Sequence, residues 1–228
     1  MSRVAIIGTS GRGEDGSRMT NKLFDLMIDC SISLIKAHCH GDIHLISGGA
    51  AGADHVAVRL FLDSLGDAPP LFVSSLKLFL PCEWVNDSKN PHNIDTNERK
   101  NPGRTANKLH YAFSQRTKLD SLKDIFCALS LGAEIDTTNF GFHARNKKVA
   151  ENADMLIAFT FGSRLDQPKD GGTMDTWNKC KHGLKIHVPL GQLENGTYCL
   201  PKNDSQSLST MMASSSLFTR EISPKRRK

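Results

Sequence analysis

Val4-Ala5-Ile6-Ile7-Gly8-Thr9-Ser10-Gly11-Arg12-Gly13 opens on four consecutive apolar residues and breaks into a glycine-rich turn. An unbroken apolar run of this kind, stopped by glycine, is the pattern of a strand buried on both faces, as the central strands of parallel sheets are. Downstream, apolar residues at helical spacing (Leu23, Leu26, Met27, Ile32, Ile35) predict an amphipathic helix from about Met19 to Ala37. A second strand, Ile43 to Ile46, breaks at Ser47-Gly48-Gly49, and Ala53 to Leu65 predicts a second helix ending near Gly66. Leu71 to Leu80 is a third apolar segment, ended by Pro81. Strand, glycine turn and helix thus occur twice in succession, which implies parallel strands joined by right-handed crossovers.

The alternation lapses between about Val85 and Phe140, where only Ala106 to Phe113 and Leu122 to Leu131 look helical. This stretch is expected to be an insertion, serving as a lid, a partner surface or simple elaboration. Asn86 to Phe140 carries eight lysines and arginines against seven aspartates and glutamates, so it is not a strong basic patch. Regularity returns with a helix from Ala144 to Glu151, a strand from Met155 to Phe161, a helix from Gly172 to His182 and a strand from Lys185 to Val188. The expected fold is α/β: a Rossmann-like, doubly wound, mainly parallel sheet of five strands, with helices on both faces and an inserted helical segment.

A chain of 228 residues, 39% hydrophobic, supports one substantial core. The expected domain is 1–204, with the insertion at about 85–140, followed by a polar, basic, poorly ordered tail at 205–228. Met1 to Gly8 lacks a secretory pattern, and no segment reaches the roughly 18 apolar residues of a membrane span. Cys30, Cys39, Cys82, Cys127, Cys180 and Cys199 form no C-x-x-C pair and read as reduced thiols, with neither a disulfide framework nor a metal site expected. An intracellular, cytoplasmic protein without membrane contact follows. The net charge of +5 favours anionic ligands. Lys225-Arg226-Arg227-Lys228, after the Ser-rich stretch Ser205 to Ser216, is either a solvated tail or a contact for nucleic acid, and it admits a nuclear location in a eukaryotic host. A homo-oligomer is left open.

Ligands of doubly wound sheets bind outside the carboxyl ends of the strands. Three glycine-rich segments are predicted at such ends: Gly8 to Gly13, Ser47 to Asp54, and Asp170-Gly171-Gly172-Thr173. Glycine lets backbone amides approach a phosphate closely, and a helix that follows offers unsatisfied N–H groups and a favourable dipole end. Ordinary dinucleotide binding is not supported, because Ser10 stands where G-x-G-x-x-G needs glycine, and no G-K-[ST] loop is present.

In these residues the chain resembles the Rossmann-like superfamily that joins LONELY GUY phosphoribohydrolases, SLOG nucleotide-sensing domains and the DNA-processing protein DprA. Val4 to Ser10 resembles its opening strand and turn, and Ile46-Ser47-Gly48-Gly49-Ala50-Ala51-Gly52-Ala53-Asp54 its S-G-G-A-x-G-x-D segment. Leu78 to Trp84 is similar to the third-strand exit of the YspA-like SLOG branch. Ala144 to Asp154 resembles the R-N helix leading into A-D, and Gly171-Gly172-Thr173 the phosphate turn.

The resemblance implies that Gly8, Thr9, Ser10, Gly48, Gly49, Gly172 and Thr173 line a phosphate or ribose pocket, with Ser47, Asn146 and Gly171 beside them. Arg145 is the implied anion contact, its planar fork suited to two phosphate oxygens. Asp54 either contacts ribose or the loop backbone or serves only the dipole of its helix, and Arg12 either meets phosphate or points to solvent. The LONELY GUY pattern G-T-x-x-E has Thr176 in place of its glutamate, leaving Asp175 and Glu83 as displaced candidates for a catalytic carboxylate. The implied function is binding of a nucleotide or nucleotide-derived ligand, of nucleoside phosphate or ADP-ribose type, without a cofactor. The alternatives are nucleotide N-glycoside hydrolysis and DprA-like binding of single-stranded DNA; against the latter, aromatic residues are only 7% of the chain.

Overall fold

The computed structural model describes residues 1–96, 101–169 and 171–200. Asp170, the Ser-rich stretch Ser205 to Ser216 and the cluster Lys225 to Lys228 therefore lie outside the described residues. Met1–Tyr198 is one compact unit, and a second begins at Cys199. In chain order the elements are β1 (Ser2–Gly8), α1 (Asp15–Arg18), α2 (Asn21–His38), β2 (Ile43–Ser47), a 3-10 turn (Gly52–Asp54), α3 (His55–Asp63), β3 (Ser75–Phe79), β4 (Glu83–Val85), β5 (His92–Ile94) and α4 (Pro102–Thr117). They continue with α5 (Ser121–Ser130), β6 (Glu134–Asp136), α6 (Phe142–Asn152), β7 (Met155–Thr160), α7 (Gly172–Lys179), β8 (Leu184–Pro189) and α8 (Leu190–Glu194).

Six strands form one parallel sheet in the order β6-β3-β2-β1-β7-β8, and β4 and β5 pair as a separate antiparallel hairpin. This is the α/β, Rossmann-like, doubly wound architecture expected. The apolar run Val4 to Ile7 is buried throughout and lies at the centre of the sheet, with Ala5 opposite Ile46 on one side and Leu156 on the other. Side chains alternate between two cores. Val4, Ile6, Leu45, Leu78, Ile157 and Phe159 face α2, α3, α4 and α5, whereas Ala5, Ile7, Ile46, Leu156 and Ala158 face α6 and α7.

The sheet holds one strand more than the five expected. The stretch predicted to be an insertion outside the sheet supplies a sixth strand, β6, which pairs with β3 through Leu78 and Ile135. Three residues, Glu-Ile-Asp, carry too little alternation to announce a strand. The three-residue strands of the hairpin are silent in the sequence for the same reason. The predicted helices run long: α3 stops at Asp63 rather than Leu65 and α7 at Lys179 rather than His182.

Capping sets the helix starts. Thr20 accepts the amide of Leu23 at 3.2 Å to begin α2, and Asp120 accepts that of Lys123 at 3.1 Å to begin α5. Pro102 opens α4, where the Asp95 carboxylate takes the amides of Gly103 and Arg104 at 2.6 and 2.9 Å. From β1 the chain winds outward through β2, β3 and β6 with its helices against the larger core. It then crosses by α6 to β7 on the far side of β1, so strand order reverses between β1 and β7. No described helix is long and apolar enough to cross a membrane.

Candidate functional site

Directly above that reversal lies a cleft of about 1080 Å³, at the upper end of the size range of small-molecule sites. The loop after β1 forms its floor and is held from both sides. The Thr9 amide donates to Phe159 O at 2.9 Å, the Ala53 amide donates to Thr9 O at 3.1 Å, and the Gly8 amide donates to the Asp54 carboxylate at 3.1 Å. Gly8, Thr9, Ser10 and Arg12 all line the cleft.

The second glycine segment is divided. Ala50, Ala51 and Asp54 line the cleft, whereas Ser47, Gly48 and Gly49, expected to line it as well, are held by contacts within the fold. A Cβ on Gly48 would occupy the place of the Arg145 guanidinium, so glycine here makes room for that side chain. Gly49 has φ of 60° and rests against Leu80, and its carbonyl accepts a hydrogen bond from His110 Nε2 at 3.0 Å. Ser47 Oγ donates to Asp54 O at 2.8 Å and accepts from the Gly49 amide, closing the turn.

Arg145 and Asp54 form a buried ion pair, Nη1 to Oδ2 3.0 Å, with side chains only 11% and 6% exposed. Burial raises the Asp54 carboxyl above its ordinary pKa, while the charge of Arg145 and the amides of Gly8 and Ala50 pull it down. Such a pair is costly to desolvate and strongly destabilising to break from one side. Arg145 lines the cleft, and its buried Nε has no hydrogen-bond partner. A buried donor left unsatisfied costs about 1–3 kcal/mol, which adds to the cost of burying this pair.

Two helices start at the cleft. α6 begins after Gly141 and α7 after Gly171, residues with no side chain to cap a first turn, and Gly141, Phe142, Gly171, Gly172 and Thr173 all line the wall. The amide-rich, dipole-positive ends of both helices therefore face the same space. Asn146 ties them together, its Nδ2 donating to Gly172 O at 3.2 Å and to Asp175 at 2.9 Å.

The two displaced carboxylates fall elsewhere. Asp175 Oδ2 accepts from Lys179 at 2.7 Å, Asn146 at 2.9 Å and His143 at 3.2 Å. Burial opposes its ionisation, but those three hydrogen bonds and the Lys179 charge outweigh it and hold the carboxyl below its ordinary value. Glu83 is exposed on β4, in a separate groove with Trp84 and Thr138 that shares no residue with the cleft. Thr176 does line the cleft, and its hydroxyl donates back to Gly172 O at 3.2 Å.

Several lining residues were missed by sequence reasoning. Lys169 and Asp15 bridge the cleft at 3.1 Å, and Thr9 Oγ1 donates to the same Asp15 at 3.0 Å. Their positions, just before the third glycine segment and just after the first, were the available signal. Phe142 precedes the R-N motif and carries Arg12 and Arg145 at 5.3 and 5.8 Å from its ring centre. Arg12 has no carboxylate partner among the described residues. Pro102, Thr105, Ala106 and Leu109 of α4 also line the cleft, so the insertion supplies one of its walls. Among the described residues no group of three His, Cys, Asp or Glu side chains is placed to hold a metal ion.

No family model matches the chain. It is 39% identical over 194 residues to uncharacterized protein R261 of Acanthamoeba polyphaga mimivirus, across 82% of this chain and 96% of that protein. Among solved structures it is similar to a structural-genomics target, TM1055, with a TM-score of 0.42 and 13% identity, covering 79% of this chain and 68% of that one.

Proposed function

This chain belongs to the same family as the uncharacterized mimivirus protein R261, and we propose that its cleft binds a nucleotide or nucleotide-derived ligand through the phosphate. The observation that carries the reading is the convergence of α6 and α7, both begun by glycine, on a space that the largely buried Arg145 also lines. Helix N-termini and a guanidinium are complementary to phosphate in charge and in donor geometry. The resemblance of Val4–Ser10, Ile46–Asp54 and Ala144–Asp154 to the LONELY GUY, SLOG and DprA superfamily points the same way.

The reading stops at binding. Asp175 is engaged by three donors and Thr176 by Gly172 O, so neither supplies an uncommitted carboxylate for splitting an N-glycosidic bond.

The test is calorimetric titration with nucleoside mono- and diphosphates and ADP-ribose, on the wild type and on Thr173→Glu. A carboxylate in the first turn of α7 suits the helix dipole, so the variant is expected to keep its melting temperature. It repels a phosphate, so affinity is expected to fall at least about tenfold. Absence of binding across the panel, or equal affinity in Thr173→Glu, refutes the proposal.

A further inference from the structure

The walls of the cleft differ in chemistry according to where in the chain they come from. Strand ends and the loops leaving them contribute Gly8, Thr9, Ser10, Thr160 and Lys169. The inserted helix α4 contributes Pro102, Ala106 and Leu109, spaced so that they share one helix face, with Thr105 beside them, and Phe140 and Phe142 lie at the entrance to α6. A phosphate or a sugar gains little from the apolar part of this second wall, because polar groups lose hydration against it without a compensating hydrogen bond. A flat aromatic ring gains both apolar burial and ring contact.

The placement of α4 sharpens the point. Its N-terminus is closed by the Asp95 carboxylate, which takes the Gly103 and Arg104 amides, so α4 meets the cleft mainly through apolar side chains. One residue beyond Leu109, His110 is fully buried and bonded to Gly49 O, which fixes the helix against the second glycine turn. Arg12 and Arg145, both against Phe142, join the apolar wall to the cationic end of the cleft.

We propose that α4, with Phe140 and Phe142, is the recognition wall for an aromatic base, so that the ligand is a nucleoside phosphate and not a bare sugar phosphate. The inference rests on the anion-binding reading of the cleft given above. On it, the insertion selects what is attached to the phosphate.

Calorimetry on the full chain compares the four common nucleoside 5′-monophosphates with ribose 5-phosphate and inorganic phosphate. At least one nucleotide is expected to bind about tenfold or more tighter than ribose 5-phosphate, the increment that stacking of one base supplies. Ala106→Phe fills the space along α4 and Phe140→Leu removes a ring that holds neither arginine; each is expected to remove most of that advantage while ribose 5-phosphate affinity stays within about twofold. Leu109→Ala, which introduces no clash, provides a second α4 variant should Ala106→Phe fail to fold, as judged by circular dichroism. Ribose 5-phosphate binding as tightly as every nucleotide, or nucleotide affinity indifferent to Leu109→Ala and Phe140→Leu, overturns the wall and leaves the anion site standing. Failure of every phosphate compound to bind removes the anion site and this inference with it.

Discussion

Lowering the pH from 7 to 5 is expected to cost the fold about 2 kcal/mol through His110 alone. This imidazole is fully buried, with Nε2 3.0 Å from Gly49 O and Nδ1 2.9 Å from Ser121 Oγ. Burial above all, and then the neighbouring His55, push its pKa from 6.5 down to about 3, against a weaker pull from the Gly49 carbonyl. The ring is therefore neutral in the folded protein, while in the unfolded chain it takes up a proton as the pH falls below 6.5. The stability tied to the neutral form is complete above that value and is lost progressively as the pH falls toward about 3. Each pH unit within the window corresponds to about 1.4 kcal/mol, and pH 5 lies about a unit and a half inside it. Urea denaturation of the wild type and of His110→Gln at both pH values measures the effect, because glutamine stays neutral and keeps an amide to donate to Gly49. The wild type is expected to lose about 2 kcal/mol more than the variant over this interval. Equal losses would show that the imidazole accepts its proton inside the folded protein, and the neutral link between α4 and the glycine turn would have to be abandoned.

Arg145→Met leaves Asp54 buried without its cation and is expected to destabilise the fold by about 3–5 kcal/mol, with Asp54→Asn in the same chain restoring part of the loss. Thermal melts decide it, and a loss below about 1 kcal/mol would contradict a desolvated pair. Incubation of the wild type with nucleoside monophosphates is expected to release no free base by chromatography; release abolished by Asp175→Asn would make Asp175 catalytic despite its three donors.

The sheet was legible where burial is two-sided, since Val4–Ile7 and Met155–Phe159 are continuous apolar runs with no other use. The glycine segments were legible as turns, but their chemistry was not. Gly48 is required by the bulk of Arg145, far along the chain, and nothing local distinguishes such a glycine from one that meets a ligand. Residue spacing placed Asp175 away from the glutamate position, but its donors Asn146 and His143 lie on α6 and become visible only once that helix is packed beside α7. The wall on α4 was out of reach because Pro102, Ala106 and Leu109 lie in a polar stretch whose periodicity is weak, and their value arises only when the helix is laid beside Phe142.

β6 ties the insertion to its host. A segment attached only at its ends can be exchanged between relatives as a cassette, altering selectivity without disturbing the rest of the fold. Here the same stretch that carries α4 also supplies an edge of the sheet, paired to β3 from Lys77 to Phe79. Excision would strip β3 of its neighbour and leave a row of unpaired backbone groups open to strand addition from other molecules. Diversification of the site is thus channelled into point changes on the cleft-facing side of α4, and a shortened version of this protein meets aggregation before it meets a new ligand.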